Sequence, residues 1–191
     1  MGSENYTLLS CISRLGGHGA PPPPRGTCLD AAASGALTLL GMGVLAGLHY
    51  TAGVRALGLE LLVGSFAATA VLVFAAPDSP LAQPRNVLVG HALSAVLGVA
   101  VRIVVADSAR AGSEPAAAAL SVALSVWAMA AFGVTHPPGG ATALIAVVGG
   151  DGVRALGWWF VLDVLLGAII LVVVAMVGNN VLPQRGYPRY W

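Results

Sequence analysis

The stretch "VTHPPGGATALIAVVGG", residues 134–150, sits in a strongly apolar part of the chain and cannot form one unbroken helix. Pro137 and Pro138 lack backbone N–H groups and disfavour a helix arriving from residue 134, while Gly139 and Gly140 let the backbone bend. Around this break, apolar runs of about 18 or more residues recur, which is the signal of transmembrane helices. Hydrocarbon offers no water to unpaired backbone groups. Non-helical chain at that depth therefore survives only where protein encloses it or a wet cavity borders it. The break is predicted to face the inside of a helix bundle.

Composition agrees. Mean hydropathy is +0.84, and 57% of the 191 residues are hydrophobic against 9% charged. A soluble domain carries about 25% charged residues, so the chain reads as an integral membrane protein whose first partner is the lipid bilayer. Lysine is absent and the net charge is +1, which leaves no electrostatic footprint for nucleic acid. Cys11 and Cys28 lack metal-ligand spacing and read as inert tail thiols. No motif calls for a cofactor.

Residues 1–29, with "PPPP" at 21–24, read as a disordered polar tail, 30–182 as the transmembrane domain and 183–191 as a short C-terminal tail. Asp30 is the predicted N-cap of a first long helix over 31–50. Full-length spans follow at 86–106, 116–134 and 156–182, and two apolar segments, after Gly64-Ser65 and after Gly139-Gly140, are only about half a span. The predicted fold is all-α, with about four full transmembrane helices and two short half-helices, re-entrant or broken. Four crossings with re-entrant halves are preferred over six. Trp158 and Trp159 at one end, and Tyr187, Tyr190 and Trp191 at the other, read as interfacial anchors. Arg102 is expected to snorkel to an interface.

The two short segments suggest a repeat. "AATAVLV" (67–73) overlays "GATALIA" (140–146), which brings Thr69 onto Thr142 at an offset of 73. An offset of 72 places His91 opposite Asp163. Paired interrupted segments in corresponding halves point to a transporter's binding site. A half-helix N-terminus facing a cavity favours anions. The predicted substrate site therefore combines Gly64, Ser65, Phe66, Ala67 and Thr69 of one half with His136, Pro137, Pro138, Gly139, Gly140, Ala141 and Thr142 of the other. Arg85 and Asn86 would attract the anion. His91 and Asp163, ionisable groups inside spans, are candidates for proton coupling or gating, with helix–helix glue as the alternative. The predicted activity is transport of a small monovalent anion, not catalysis. The alternatives are a non-transporting scaffold and an intramembrane metalloenzyme built on His49, His91, His136 and Asp163, although no two of these histidines are spaced i, i+4.

Four blocks carry a resemblance: "DSPLAQPRNVLVGH" at 78–91, "THPPGGATALIAVVGG" at 135–150, "LGWWFVL" at 156–162 and the ending "YPRYW". Together they resemble the HPP family of membrane proteins, named for the His-Pro-Pro found here at 136–138. The resemblance implies roughly four spans and, from plastid and cyanobacterial-type members, nitrite as substrate. It implies a bacterial inner membrane or plastid envelope. Many bacterial relatives carry C-terminal CBS domains; the chain stops at Trp191, so nucleotide regulation is not expected. Arg14, Arg25, Arg185 and Arg189 predict both tails on the cytoplasmic or stromal side. So small a chain is expected to form a homo-oligomer.

Overall fold

A computed structural model describes residues 21, 25–107 and 112–191; Cys11, Arg14 and residues 22–24 of the proline run lie outside it. The described chain forms α1 (Cys28–His49), α2 (Ala52–Ala56), α3 (Ser65–Ala75), α4 (Pro84–Ala106), α5 (Glu114–Ala131), α6 (Pro137–Val148), α7 (Asp151–Leu156) and α8 (Trp159–Asn180). Helices α1, α4, α5 and α8 are long and apolar enough to cross a membrane, and α3 and α6 are the two short apolar helices. Their outward residues are apolar: Leu39 is 77% exposed, Val104 69% and Trp127 68%. Their inward residues include His91, Ser94, Ser121, Ser125 and Thr142, all fully buried. A polar interior inside an apolar coat is what lipid as solvent selects. The chain is an integral membrane protein.

Helix α1 starts earlier than the sequence suggests. Thr27 is its N-cap, accepting the Asp30 N–H at 3.1 Å and donating its hydroxyl to Asp30 Oδ2 at 2.6 Å. Asp30 thus sits in the first turn, where a carboxylate also opposes the helix dipole. Cys28 is its exposed first residue.

Side-chain bonds sort the helix ends onto two faces. On one, Arg185 donates to the carbonyls of Asp30 (2.8 Å) and Phe74 (2.9 Å), the Tyr187 hydroxyl donates to the Ala82 carbonyl (2.7 Å), and Arg85 donates to the carbonyls of Phe132 and Gly133 (3.2 Å each). This terminal face therefore holds the start of α1, the end of α3, the start of α4, the end of α5 and the end of α8. On the opposite face Arg154 pairs with Glu114, joining the region after α6 to the start of α5, and Asp163 near the start of α8 accepts the Glu60 N–H at 3.0 Å. Each short helix thus enters from one face and leaves by the other. The half-helices are broken crossings, not re-entrant hairpins, and the chain passes through the bundle six times. Both ends of the described chain lie on the terminal face.

The repeat is visible, and it is inverted. α1, α3 and α4 correspond to α5, α6 and α8: α1 packs on α8 as α5 packs on α4, and α3 packs on α8 as α6 packs on α4. Thr69 Oγ1 lies 3.3 Å from the Ser65 carbonyl and Thr142 Oγ1 3.3 Å from the Pro138 carbonyl. The C-terminal carbonyls at Val73 and Ala146 are each held by a long-helix side chain, from Asn179 at 2.9 Å and Arg102 at 3.4 Å respectively. Arg102 is accordingly buried at 4% exposure instead of snorkelling, with Nε 3.6 Å from Asp107 Oδ2. Tyr187 is likewise no interfacial anchor, being 2% exposed. Burial pushes its phenol well above the usual range, so the hydroxyl remains a donor to Ala82.

The tightest seam joins α4 to α6. A Cβ on Gly98 would stand 2.7 Å from Ala146 Cβ and 2.8 Å from the Ala143 carbonyl, and one on Gly90 would stand 2.7 Å from His136 Cβ. One on Gly139 would meet Ser94 Oγ at 2.8 Å and the Gly90 carbonyl at 3.0 Å. Small residues one and two turns apart let these backbones touch, the usual way helices associate without a hydrophobic drive. Gly43, by contrast, has nothing within 4 Å of such a Cβ. Gly98→Val is therefore expected to cost about 1–3 kcal/mol by overpacking, and Gly43→Val close to nothing. Thermal unfolding of the two variants in detergent checks this.

Candidate functional site

The first turns of α3 and α6 overlap antiparallel inside the bundle, and five buried side chains meet there: Ser65, Thr69, His91, His136 and Thr142, each 0–1% exposed. Thr69 Oγ1 lies 2.8 Å from His91 Nε2 and 3.1 Å from His136 Nε2. His91 Nδ1 lies 2.8 Å from Thr142 Oγ1, which lies 2.8 Å from Ser65 Oγ. His136 Nδ1 lies 2.8 Å from the Leu81 carbonyl. The two imidazoles stand edge to face with centroids 4.9 Å apart, and the Phe66 ring is likewise edge to face with His91 at 5.5 Å.

Local sequence explains each placement. The prolines at 137 and 138 start α6 and put His136 at its N-cap in extended backbone, so its ring turns back toward the loop after α3. Thr69 and Thr142 each stand one turn into a short helix, anchored on the carbonyl four residues back. Gly90 makes room for His136, and Gly139 lets α6 settle on Ser94. His91, a third of the way along α4, then reaches both threonines at once.

The site is built from side chains, not helix-end N–H groups. Proline occupies the first two positions of α6, removing two donors outright, and the Gly139 N–H is taken by the His136 carbonyl at 2.8 Å. The first three positions of α6 therefore offer no free N–H. Gly140 and Ala141 are half-buried, while Pro137, Gly64 and Ala67 face outward. It is Gly139, not Gly140, that permits the close approach. Arg85 is exposed at the terminal face, bonded to the end of α5. Asn86 donates to the Thr135 carbonyl at 3.1 Å, and its Oδ1 is buried without a partner.

The anticipated His91–Asp163 pair is not made. Asp163 is fully buried but faces the extended segment before α3, bonded through Oδ1 to the Glu60 N–H, with Oδ2 unpartnered. His49 stands at the end of α1, edge-on to Tyr50. Of the four groups a metal site would have needed, only His91 and His136 come together. Two participants escaped the sequence. Leu81 contributes a backbone carbonyl, which no side-chain pattern announces. Ser94, three residues after His91, had a readable signal in its helical spacing.

A family model described as HPP, transmembrane region, matches residues 23–188. Two curated proteins of Dictyostelium discoideum, each named as a transmembrane protein, are similar. One is 46% identical over 152 residues, covering 79% of this chain and 52% of the relative. The other is 42% identical over 155 residues, covering 81% of this chain and 49% of the relative. The chain thus spans about half the length of the curated relatives it matches. No solved structure matches.

Because Thr69 serves both rings, Thr69→Val leaves two buried imidazole nitrogens without a partner at nearly unchanged volume. Its expected cost is about 1–3 kcal/mol, recovered in large part by Thr69→Ser. Thermal unfolding of both variants in detergent is the check.

Proposed function

The chain belongs to the HPP transmembrane family, and from that premise we propose that it carries a small monovalent anion, nitrite first, across its membrane by way of the buried cluster. One observation carries the reading. Interrupted backbone from both halves of an inverted repeat converges on two histidines and three hydroxyls, with no carboxylate among their partners in the described residues. Such paired interruptions are the architecture in which transporters hold polar cargo at mid-membrane. A set of neutral groups that can turn donors toward a guest suits an anion or its conjugate acid better than a cation. Polar side chains buried among lipid-facing helices are functional candidates by default.

On the terminal side a surface pocket of about 350 Å³ is bounded by Arg85, Val89, Leu93, Phe132 and Val134, and the proposed entry of the anion lies beside Arg85. Among the described residues the Arg85 guanidinium is bonded only to neutral carbonyls, so its charge is left to draw an anion in. Asn86, one residue on, bonds the Thr135 carbonyl just ahead of His136 and could shift with the loop as cargo passes. The role is transport, not catalysis. The terminal face, which carries Arg25, Arg85, Arg185 and Arg189, is assigned to the cytoplasmic or stromal side by the positive-inside rule. A homo-oligomer in a bacterial plasma membrane or plastid envelope completes the reading.

One observation favours a second reading, a non-transporting scaffold: all five cluster side chains already have partners within the protein, as glue between helices would. Reconstituted liposomes with the potential clamped by valinomycin separate the two. Transport requires nitrite uptake faster than in empty liposomes, reduced about tenfold or more in Thr142→Val, which loses a hydroxyl able to bond a charged guest. Uptake no faster than in empty liposomes for nitrite, nitrate and formate alike overturns transport in favour of the scaffold.

A further inference from the structure

We propose that Ser65, Thr142, His91, Thr69 and His136 form a relay that moves one proton between the middle of the bundle and its terminal face, a role that rests on the transport reading of the same cluster. In the relay every proton has a place. The Leu81 carbonyl only accepts, so His136 Nδ1 carries hydrogen. With a neutral ring, His136 Nε2 must then accept, and Thr69 is the donor within reach. Thr69 has a single hydrogen, so the other ring facing it, His91, must donate through Nε2. A neutral His91 then accepts at Nδ1 from Thr142, whose Oγ1 lies 2.8 Å from Ser65 Oγ; Thr142 takes the Ser65 hydrogen in this state of the relay and donates to Ser65 in the reversed one. One fixed carbonyl polarises five side chains in a single direction.

Adding one proton reverses the whole chain. A proton arriving at Ser65 Oγ releases the Ser65 hydrogen to Thr142 Oγ1, and Thr142 passes its own to His91 Nδ1. His91 gives its Nε2 hydrogen to Thr69, and Thr69 gives its hydrogen to His136 Nε2. His91 ends neutral with hydrogen on Nδ1, Thr142 now donates to Ser65, and His136 ends as an imidazolium with both nitrogens protonated. Up to this point each O–H or N–H broken is matched by one formed, and no atom heavier than hydrogen moves. Release then requires the buried His136 ring to turn from the Leu81 carbonyl and give its Nδ1 proton to water on the terminal face.

The ends suit the task. Ser65 follows exposed Gly64 at the close of the non-helical approach from the opposite face, and Leu81 is half-buried in the loop on the terminal face. The groups facing the two rings are the three hydroxyls, one carbonyl, the Phe66 edge and each other; Asp163 on α8 is turned to Glu60 instead. Among the described residues, the only titratable groups in contact with the relay are therefore its own histidines.

The wild-type protein in bilayers, with ¹⁵N-labelled histidine, tests the assignment by solid-state NMR. The expected result at neutral pH is His136 protonated on Nδ1 and His91 on Nε2. On acidification, His136 should become doubly protonated while His91 switches to Nδ1 in the same step. A His91 tautomer that stays put while His136 gains its proton overturns the relay. In liposomes, labelled nitrite and a pH dye report cargo and protons separately, with empty liposomes subtracting nitrous acid leak. Wild type and Thr69→Ser should move protons and nitrite in equal number, and the residual nitrite flux of Thr69→Val should carry none. Nitrite flux without protons in wild type overturns the relay and leaves the transport reading standing, whereas no nitrite flux at all removes both.

Discussion

The contact on which the rest depends is the His91 imidazole held between two threonines, with Nε2 and Nδ1 each 2.8 Å from a hydroxyl. These threonines come from corresponding places in the two halves, so one ring ties both broken crossings to the longest inner helix. The bond is possible only because α4 and α6 meet backbone to backbone at Gly90, Gly98 and Gly139. Larger side chains would push the helices apart and pull Thr142 out of reach. The polar centre and the glycine seam are therefore one construction. Without water, an imidazole with a lone nitrogen unpaired would cost more than the ring's packing returns.

The inverted repeat explains the frame but not the chemistry. Thr69 and Thr142, Val73 and Ala146 match across the two halves, whereas the polar specialisations do not. His136 has no counterpart in the first half, where the approach to α3 reads Leu61, Leu62, Val63. Asp163 occupies the place matching His91 but faces backbone, away from the cluster. Symmetry thus places two short helices tip past tip, and departures from symmetry give the centre a direction. A relay with a carbonyl at one end and a hydroxyl at the other is polar along the bundle, as an exactly repeated pair could not be.

Much of this was legible in the sequence. The long spans, the two half-length segments and the Thr69–Thr142 correspondence all follow from hydropathy and offset alone, because lipid constrains composition so strongly. Seven of the marked residues, Ser65, Phe66, Thr69, His91, His136, Gly139 and Thr142, do come together at the centre. Other features have no such signature. A broken crossing and a re-entrant hairpin need the same short apolar run, and only bonds such as Arg185 to Phe74 tell which face the chain leaves by. Arg102 and Tyr187 look interfacial by residue type yet are buried against carbonyls, since the freed ends of helices attract any donor nearby. The loss of helix-end donors at Pro137 and Pro138, however, was readable: proline has no N–H to offer.

A cluster so fully satisfied also limits how cargo can pass. Any guest must replace bonds the five side chains make with one another, and each one left unmet in this setting costs about 1–3 kcal/mol. A guest that only accepts, such as an anion, can be served by turning hydroxyl hydrogens toward it, but that strips the histidines of their donors. Protonating His136 resolves the conflict, because an imidazolium needs no donor and supplies the charge the guest lacks. Anion entry and proton arrival then favour each other through the same few atoms. Coupling of this kind requires no long-range movement, only that both ligands prefer the same hydrogen-bond polarity.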